Sequence, residues 1–309
     1  IGEWYPTEQG GTIMGLISIN FQFGGVAAAL LAGWLLTMGS DWKGLFYFPA
    51  MILSLVWVWA FFASKENPQE VVPGVAFGNS ASKRKSIAEQ ENGASPENET
   101  PLEIVKDLIK LKLFRQILLF SFLTTLLRSI FLFWTPKLLV DIGMGSTTAA
   151  FKSAVFPILG VLGTVLLGWY TDHHAKNGDR ARMMWIMLCG LVFSLLTIAV
   201  IIPYRMEFAN LIVIMTGACG FFLYGPYSMS SGCLTLDVAG AKRAGSCTGM
   251  IDGIGYIGGG LAAWGAGYLS DKMGWATVFF TLTGFAVLSV LTAMKMSSTF
   301  QKRGQNASV

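Results

Sequence analysis

Eight apolar runs, most of them close to 20 residues long, divide this chain and decide most of what it can fold into. They lie at about 11–38, 44–63, 114–140, 149–170, 183–203, 208–231, 247–269 and 275–295. Coiled as a helix, a run of about 20 residues spans the hydrocarbon of a bilayer, so the hydropathy pattern predicts eight transmembrane helices. Short polar turns separate most of them, at 39–43, 141–148, 172–182, 203–207, 237–246 and 270–274. Only 13% of the 309 residues are charged, against about 25% in a soluble protein. The class is an all-α, multi-pass membrane protein whose first partner is the lipid bilayer. The net charge of +4 is no nucleic-acid signature, because the basic residues sit between apolar runs, where membrane orientation needs them.

One long polar segment breaks the rhythm, from Ser64 to Lys112. It holds ENPQE, SKRK and ENGASPENET, a composition too polar to pack. Its end carries Leu102, Val105, Ile109 and Leu113 at helical spacing against Lys106, Lys110 and Lys112, which predicts an amphipathic surface helix. Basic residues gather on the linker's side of the membrane, among them Lys83, Arg84, Lys85, Arg180, Arg182, Lys242 and Arg243. The opposite side holds few, such as Lys43, Lys137, Arg205 and Lys272. The excess predicts a cytoplasmic linker and a cytoplasmic C-terminus.

The seventh run echoes the first. With no gaps, Gly11 falls on Gly245, Gly15 on Gly249, Gly24 and Gly25 on Gly258 and Gly259, and Gly33 on Gly267. Trp42 and Trp275 follow, then Phe46-Tyr47 and Phe279-Phe280. Glycines at fixed offsets predict shared close helix packing, and internal duplication marks transporters built from repeated halves. The two copies stand six helices apart, which is the repeat unit of a two-times-six plan. On that plan the chain looks like the last eight helices of twelve; a genuine eight-helix protein is the alternative. The expected divisions are 1–63 (two helices ending a first bundle), 64–112 (linker), 113–296 (a six-helix bundle) and 297–309 (tail).

Arg128 is the sharpest chemical signal, set mid-run in LLFSFLTTLLRSIFLFW. A charge there costs several kcal/mol unless it meets water, a partner or a substrate. Ser121, Thr124, Thr125 and Arg128 form one polar stripe, and a guanidinium binds carboxylate or phosphate through two parallel hydrogen bonds. Arg128 is therefore either an anion ligand or half of a structural ion pair. Asp252 is the second intramembrane charge, open to proton coupling, pairing with a cation, or a plain helix-end role. Tyr256 lies one turn further, and Gln22 takes its place in the first repeat copy beside Asn20; Asn20 and Gln22 line the cavity or join helices. Pro226 kinks its helix, making Tyr224 a candidate cavity donor at a hinge. Trp134 is a further substrate-positioning candidate. The loop at 168–182 presents Gly168, Asp172, Arg180 and Arg182 as a gate latch, with Asp172 clamped by neighbouring basic residues.

Cys189, Cys219, Cys233 and Cys247 show neither CxxC nor Cys/His spacing and read as reduced packing residues. The adjacent His173 and His174 would not share a helix face; no metal and no cofactor is expected. Asn98-Glu99-Thr100 forms a glycosylation sequon, idle if cytoplasmic. Without nucleotide loop, nucleophile elbow or paired catalytic carboxylates, an enzyme is not expected.

The stretches WYPTEQGG (4–11), FGG (23–25), DWKGLFYFPA (41–50), LLR with Trp134, GWYTD (168–172), LYGP (223–226), LDVAGAKRAG (236–245) and GYIGG (255–259) resemble the organophosphate:phosphate antiporters of the major facilitator superfamily. The resemblance implies the major facilitator fold, inner-membrane residence, and transport of a phosphorylated compound in exchange for inorganic phosphate by alternating access. It matches Arg128 to an arginine of the phosphate site, and Tyr224 and Tyr256 to tyrosines lining it. The chain departs at Phe21, where the family's glycerol-3-phosphate carriers have a histidine, and at Thr125, where a tyrosine stands. These departures leave the transported anion open. A proton-coupled symporter of a carboxylate or sugar acid, using Asp252, and a non-transporting sugar-phosphate receptor are the alternatives. A monomer is expected.

Overall fold

The computed structural model describes residues 43–65, 100–174 and 179–306, with further isolated positions between 4 and 41 and at 70, 71 and 73. Its elements are α1 (Gly44–Ala63), α2 (Pro101–Lys110), α3 (Lys112–Asp141), α4 (Ser146–Ser153), α5 (Val155–His174), α6 (Ala181–Ile201), a 3₁₀ turn (Ile202–Phe208), α7 (Ala209–Ser231) and α8 (Cys233–Asn306). Among the described residues, six helical segments are long and apolar enough to cross a membrane. Most of the first expected run falls outside the described residues; its described positions from Thr12 to Leu35 are helical.

α8 has 74 residues, a length of about 110 Å as one rod and far more than one bilayer. Two glycines cut it. Gly240 (φ 71°) and Gly274 (φ 80°) adopt the left-handed region that side chains with a Cβ avoid. The contacts then show direction. Ser121 Oγ donates to Ile251 O at 3.0 Å and Trp134 Nε1 to Ala263 O at 3.1 Å, so 241–273 rises parallel to α3. Trp275 Nε1 donates to Asp141 Oδ2 at 2.8 Å, and Thr299 Oγ1 to Gln116 Oε1 at 3.4 Å, so 275–306 returns antiparallel. α8 therefore crosses twice. Three expected turns are shorter than their polarity suggests. Helix occupies 233–239 and runs on to 273, and α4 fills part of 141–148, because a single positive-φ glycine reverses or bends a helix without a loop.

Small residues set the helix spacing. A Cβ on Gly163 would collide with Phe221 O, one on Gly220 with Phe156 O, and one on Gly160 with the Tyr224 ring. α5 and α7 thus cross backbone to backbone, as lipid-embedded helices do at glycines. Between α3 and 241–273, a Cβ on Gly258 would lie 2.6 Å from Phe122 O, and one on Gly267 2.9 Å from the Trp134 ring. The duplicated glycines divide here: Gly258, Gly259 and Gly267 are packed, whereas Gly24, Gly245 and Gly249 have nothing within 4 Å.

The surface helix of the linker is present as α2. Thr100 and Glu103 form a capping box at its start. Leu108 is fully buried and Ile104 packs on the bundle core, while Lys106 and Lys110 face out. α2 stops at Lys110, two residues earlier than expected, because Leu111 turns extended (ψ 120°) before α3 begins. α1 buries none of its side chains, an arrangement suited to lipid for so apolar a helix.

Candidate functional site: a guanidinium cluster in the bundle

α3 carries the site. Ser121, Thr124, Thr125, Arg128 and Ser129 are all buried. Two of the hydroxyls are committed to helix carbonyls: Thr124 Oγ1 donates to Phe120 O at 2.9 Å and Ser121 to Ile251 O. In lipid such back-bonding satisfies a hydroxyl without a water. Arg128 lies on the same stripe. It is only 2% exposed, and its Cζ lies 4.6 Å from the centroid of the Tyr227 ring. A guanidinium over an aromatic face gains up to about 2 kcal/mol when desolvated. The Tyr224 hydroxyl is also in hydrogen-bond reach of it.

α7 delivers both tyrosines. They stand at i and i+3, so they share a helix face, and their rings meet edge to face at 6.3 Å. Pro226 lies between them inside the helix, and Gly160 leaves the space that the Tyr224 ring fills.

Segment 241–273 supplies the third wall. Asp252 follows Ile251, whose carbonyl holds Ser121; it is half-buried, with the Ser231 hydroxyl in hydrogen-bond reach. Thr248 Oγ1 donates to Ser231 O at 3.3 Å, which pins this stretch to the end of α7. Arg128, Tyr256, Asp252 and Tyr224 all lie within electrostatic range of Tyr227. Tyr256 itself is 55% exposed, at the open edge of the cluster.

The structure thus gathers four of the expected residues, Arg128, Tyr224, Asp252 and Tyr256, around one that the reading of single residues missed. Tyr227 had a visible signal, since it repeats Tyr224 at helical spacing. Trp134 stands apart. Its indole N–H is engaged by Ala263 O, and its ring meets Trp275 at 6.3 Å, so it fastens α3 to α8. Asn20 is helical and exposed; Gln22 and Phe21 lie outside the described residues.

A second guanidinium is buried where α5, α6 and α8 meet. Arg180 donates to Asp172 Oδ1 at 2.6 Å and to Thr171 Oγ1 at 3.1 Å, and its Nε lies 3.5 Å from Asp237 Oδ2. The Arg180–Asp172 side chains are 4% and 6% exposed. Asp172 Oδ2 also accepts from the Thr12 amide at 2.6 Å, bringing the first segment into the clamp. Thr171 Oγ1 donates to Gly168 O. Arg182 is exposed; its amide donates to Asp179 Oδ1 at 3.1 Å. Asp179 in turn accepts from Ser297 at 2.6 Å and Gln301 at 3.1 Å. Asp237 and Asp179 were not anticipated as partners, because both stand in stretches that read as polar turns. The four cysteines are free thiols, three of them buried. His173 contacts Trp169 O, and His174 stacks on Tyr170.

An apolar groove of about 330 Å³, lined by Phe122, Leu126, Leu261, Leu282 and Phe285 among others, opens elsewhere on the bundle. It contains no charged side chain and is separate from the Arg128 cluster.

Comparison with known proteins agrees with this architecture. The Major Facilitator Superfamily pattern matches residues 1–263. The glycerol-3-phosphate transporter of Haemophilus influenzae is 28% identical over 94% of this chain and 65% of its own length. The glucose-6-phosphate exchanger SLC37A2 of Bos taurus is 24% identical over 96% and 64%, and the glycerol-3-phosphate transporter of Bacillus subtilis 24% over 94% and 64%. The chain thus spans about 64–65% of the length of these relatives. With a family match over most of the chain and multi-pass helices packed through glycines, this chain belongs to the Major Facilitator Superfamily.

Proposed function

We propose that this chain is part of a secondary transporter that carries a small phosphorylated organic anion across the membrane by alternating access, in exchange for inorganic phosphate. Arg128 neutralises the anion, and Tyr224 and Tyr256 donate to its oxygens. Asn20 and Gln22 complete the positioning set, while Trp134, its indole N–H engaged by Ala263 O, braces α3 against α8. The observation that carries the reading is Arg128 itself, 2% exposed midway along an apolar 30-residue helix and seated on an aromatic face. A guanidinium suits a phosphorylated cargo because its planar fork matches phosphate oxygens two at a time. The relatives named above are a glycerol-3-phosphate transporter and a glucose-6-phosphate exchanger, which supports a phosphorylated cargo.

In this reading Gly168, Asp172, Arg180 and Arg182 form the latch of one gate. Its buried ion pairs hold one access state, and the cargo shifts the balance by binding the alternative states with different affinity. The bundle sits in the inner membrane as a monomer, with the linker and the C-terminus in the cytoplasm, the side that the basic-residue bias favours.

The test is counterflow in vesicles containing the complete protein and loaded with inorganic phosphate. External glucose 6-phosphate or glycerol 3-phosphate should release labelled phosphate, and Arg128→Ala should abolish the release. Exchange that survives Arg128→Ala, or uptake driven by a pH gradient with no phosphate efflux, would overturn the proposal.

A further inference from the structure

The charge that the anion-binding role of Arg128 does not use is Asp252. The two segments that carry these residues run side by side in the same direction, in a register set by three contacts. Ile251 meets Ser121, Gly255 meets Thr125, and Gly259 meets Ser129. Asp252 therefore sits about six residues below Arg128 along the common axis, roughly 9 Å at the helical rise. Tyr227 stands within electrostatic range of both.

Asp252 is half-buried inside a membrane-spanning segment, where carboxylates are rare and functional. Among the described residues it enters no ion pair within 4.0 Å. Its neighbours fit a cation. Ser231 can accept or donate. Tyr256 stands one turn on, at i+4 on the same helix side, and is 55% exposed, and a carboxylate beside an aromatic ring is a setting that favours ammonium groups. For a purely anionic cargo Asp252 is a liability. Its charge, within electrostatic range of Arg128, opposes any anion held there. A cargo that carries its own ammonium turns the same charge into attraction.

We infer that Asp252, with Tyr256 and Ser231, forms an ammonium subsite facing the Arg128 anion subsite, so that the favoured cargo is a zwitterion: a small phosphorylated compound with a primary amine a few ångströms from its phosphate. The inference rests on the anion-binding reading of Arg128 and adds the cargo's second charge.

The test uses matched twins that differ in the amine. Glucosamine 6-phosphate is compared with glucose 6-phosphate, and phosphoethanolamine with ethyl phosphate. Inorganic phosphate reports the Arg128 subsite alone. Binding to the complete protein in detergent is followed by calorimetry, with ligand-induced thermal shift as the check that each variant is folded. Wild type should bind the amine member of at least one pair about tenfold more tightly than its twin. Asp252→Asn should bring that ratio close to one, and Asp252→Glu should restore most of it. Phosphate binding with no preference in either pair would overturn the ammonium subsite while leaving the anion reading intact. Absence of binding by phosphate and by every twin would overturn both. A preference that persists in Asp252→Asn, or an Asp252→Asn effect confined to pH-driven uptake, would assign the ammonium or the proton elsewhere and sink the inference.

Discussion

Three guanidiniums are buried among the described residues, those of Arg180, Arg128 and Arg243, and the first two are held in opposite ways. Arg180 meets the carboxylates of Asp172 and Asp237 and the hydroxyl of Thr171. Arg128 meets the face of Tyr227 and the hydroxyl of Tyr224. The first is a set of compensated charges, which holds helix ends together and fails as a unit. The second stabilises the cation through ring and phenol and suits a group that must exchange partners. Burial alone is thus a poor guide to role; the chemistry of what surrounds the charge is the better one.

The strongest way to break this comparison is to remove each arginine in turn. Arg128→Ala should lower phosphate binding by the complete protein more than 100-fold, measured by calorimetry, and Arg128→Lys at least tenfold because the fork is lost. Thermal stability should hardly change in either. Arg180→Met should do the reverse. Two carboxylates are left buried, which costs about 3–5 kcal/mol of stability, read by thermal denaturation in detergent, with phosphate affinity in the folded fraction nearly unchanged. Similar outcomes for the two residues would dissolve the distinction.

Smaller changes sharpen it. Gly160→Ala forces the Tyr224 ring aside and should destabilise by about 1–3 kcal/mol, weakening anion binding as well, whereas Gly245→Ala, with open space around it, should be tolerated. Tyr227→Ala should weaken anion binding about tenfold, the loss of a cation–π contact of about 1–2 kcal/mol; Tyr227→Phe keeps the ring and should stay within about threefold. The smallest effect belongs to charge in water. The Thr100 backbone amide and side chain hold the Glu103 carboxyl below its ordinary value. Its contribution to α2 is therefore present above that ordinary value and is lost as pH falls through the depressed one. Hydrogen exchange of the α2 amides should accelerate only in that acidic range, and Glu103→Gln should remove the pH dependence.

Much of the fold was legible because membrane crossing is a local property. A run of apolar residues long enough to span reads the same wherever it packs, and α1, α3, α5, α6, α7 and both crossings of α8 follow the predicted runs. The boundaries were less legible. At 237–246 polarity suggested a turn, but Asp237 is polar because it serves Arg180, and the bend needs only Gly240. In the site, Arg128 announced itself by its cost in hydrocarbon. Tyr227 did not, since its role depends on α7 meeting α3, 99 positions away along the chain.

By itself, then, the sequence determined most of the crossings, the short helix that precedes α3 and the presence of a charge that hydrocarbon cannot tolerate alone. Only the tertiary structure decided what that charge faces. Which aromatic ring meets Arg128, and which carboxylates close on Arg180, depends on how near two helices approach and in what register. Those quantities depend on contacts between different helices, some of them at glycines such as Gly160, Gly163 and Gly220, and no single segment contains them.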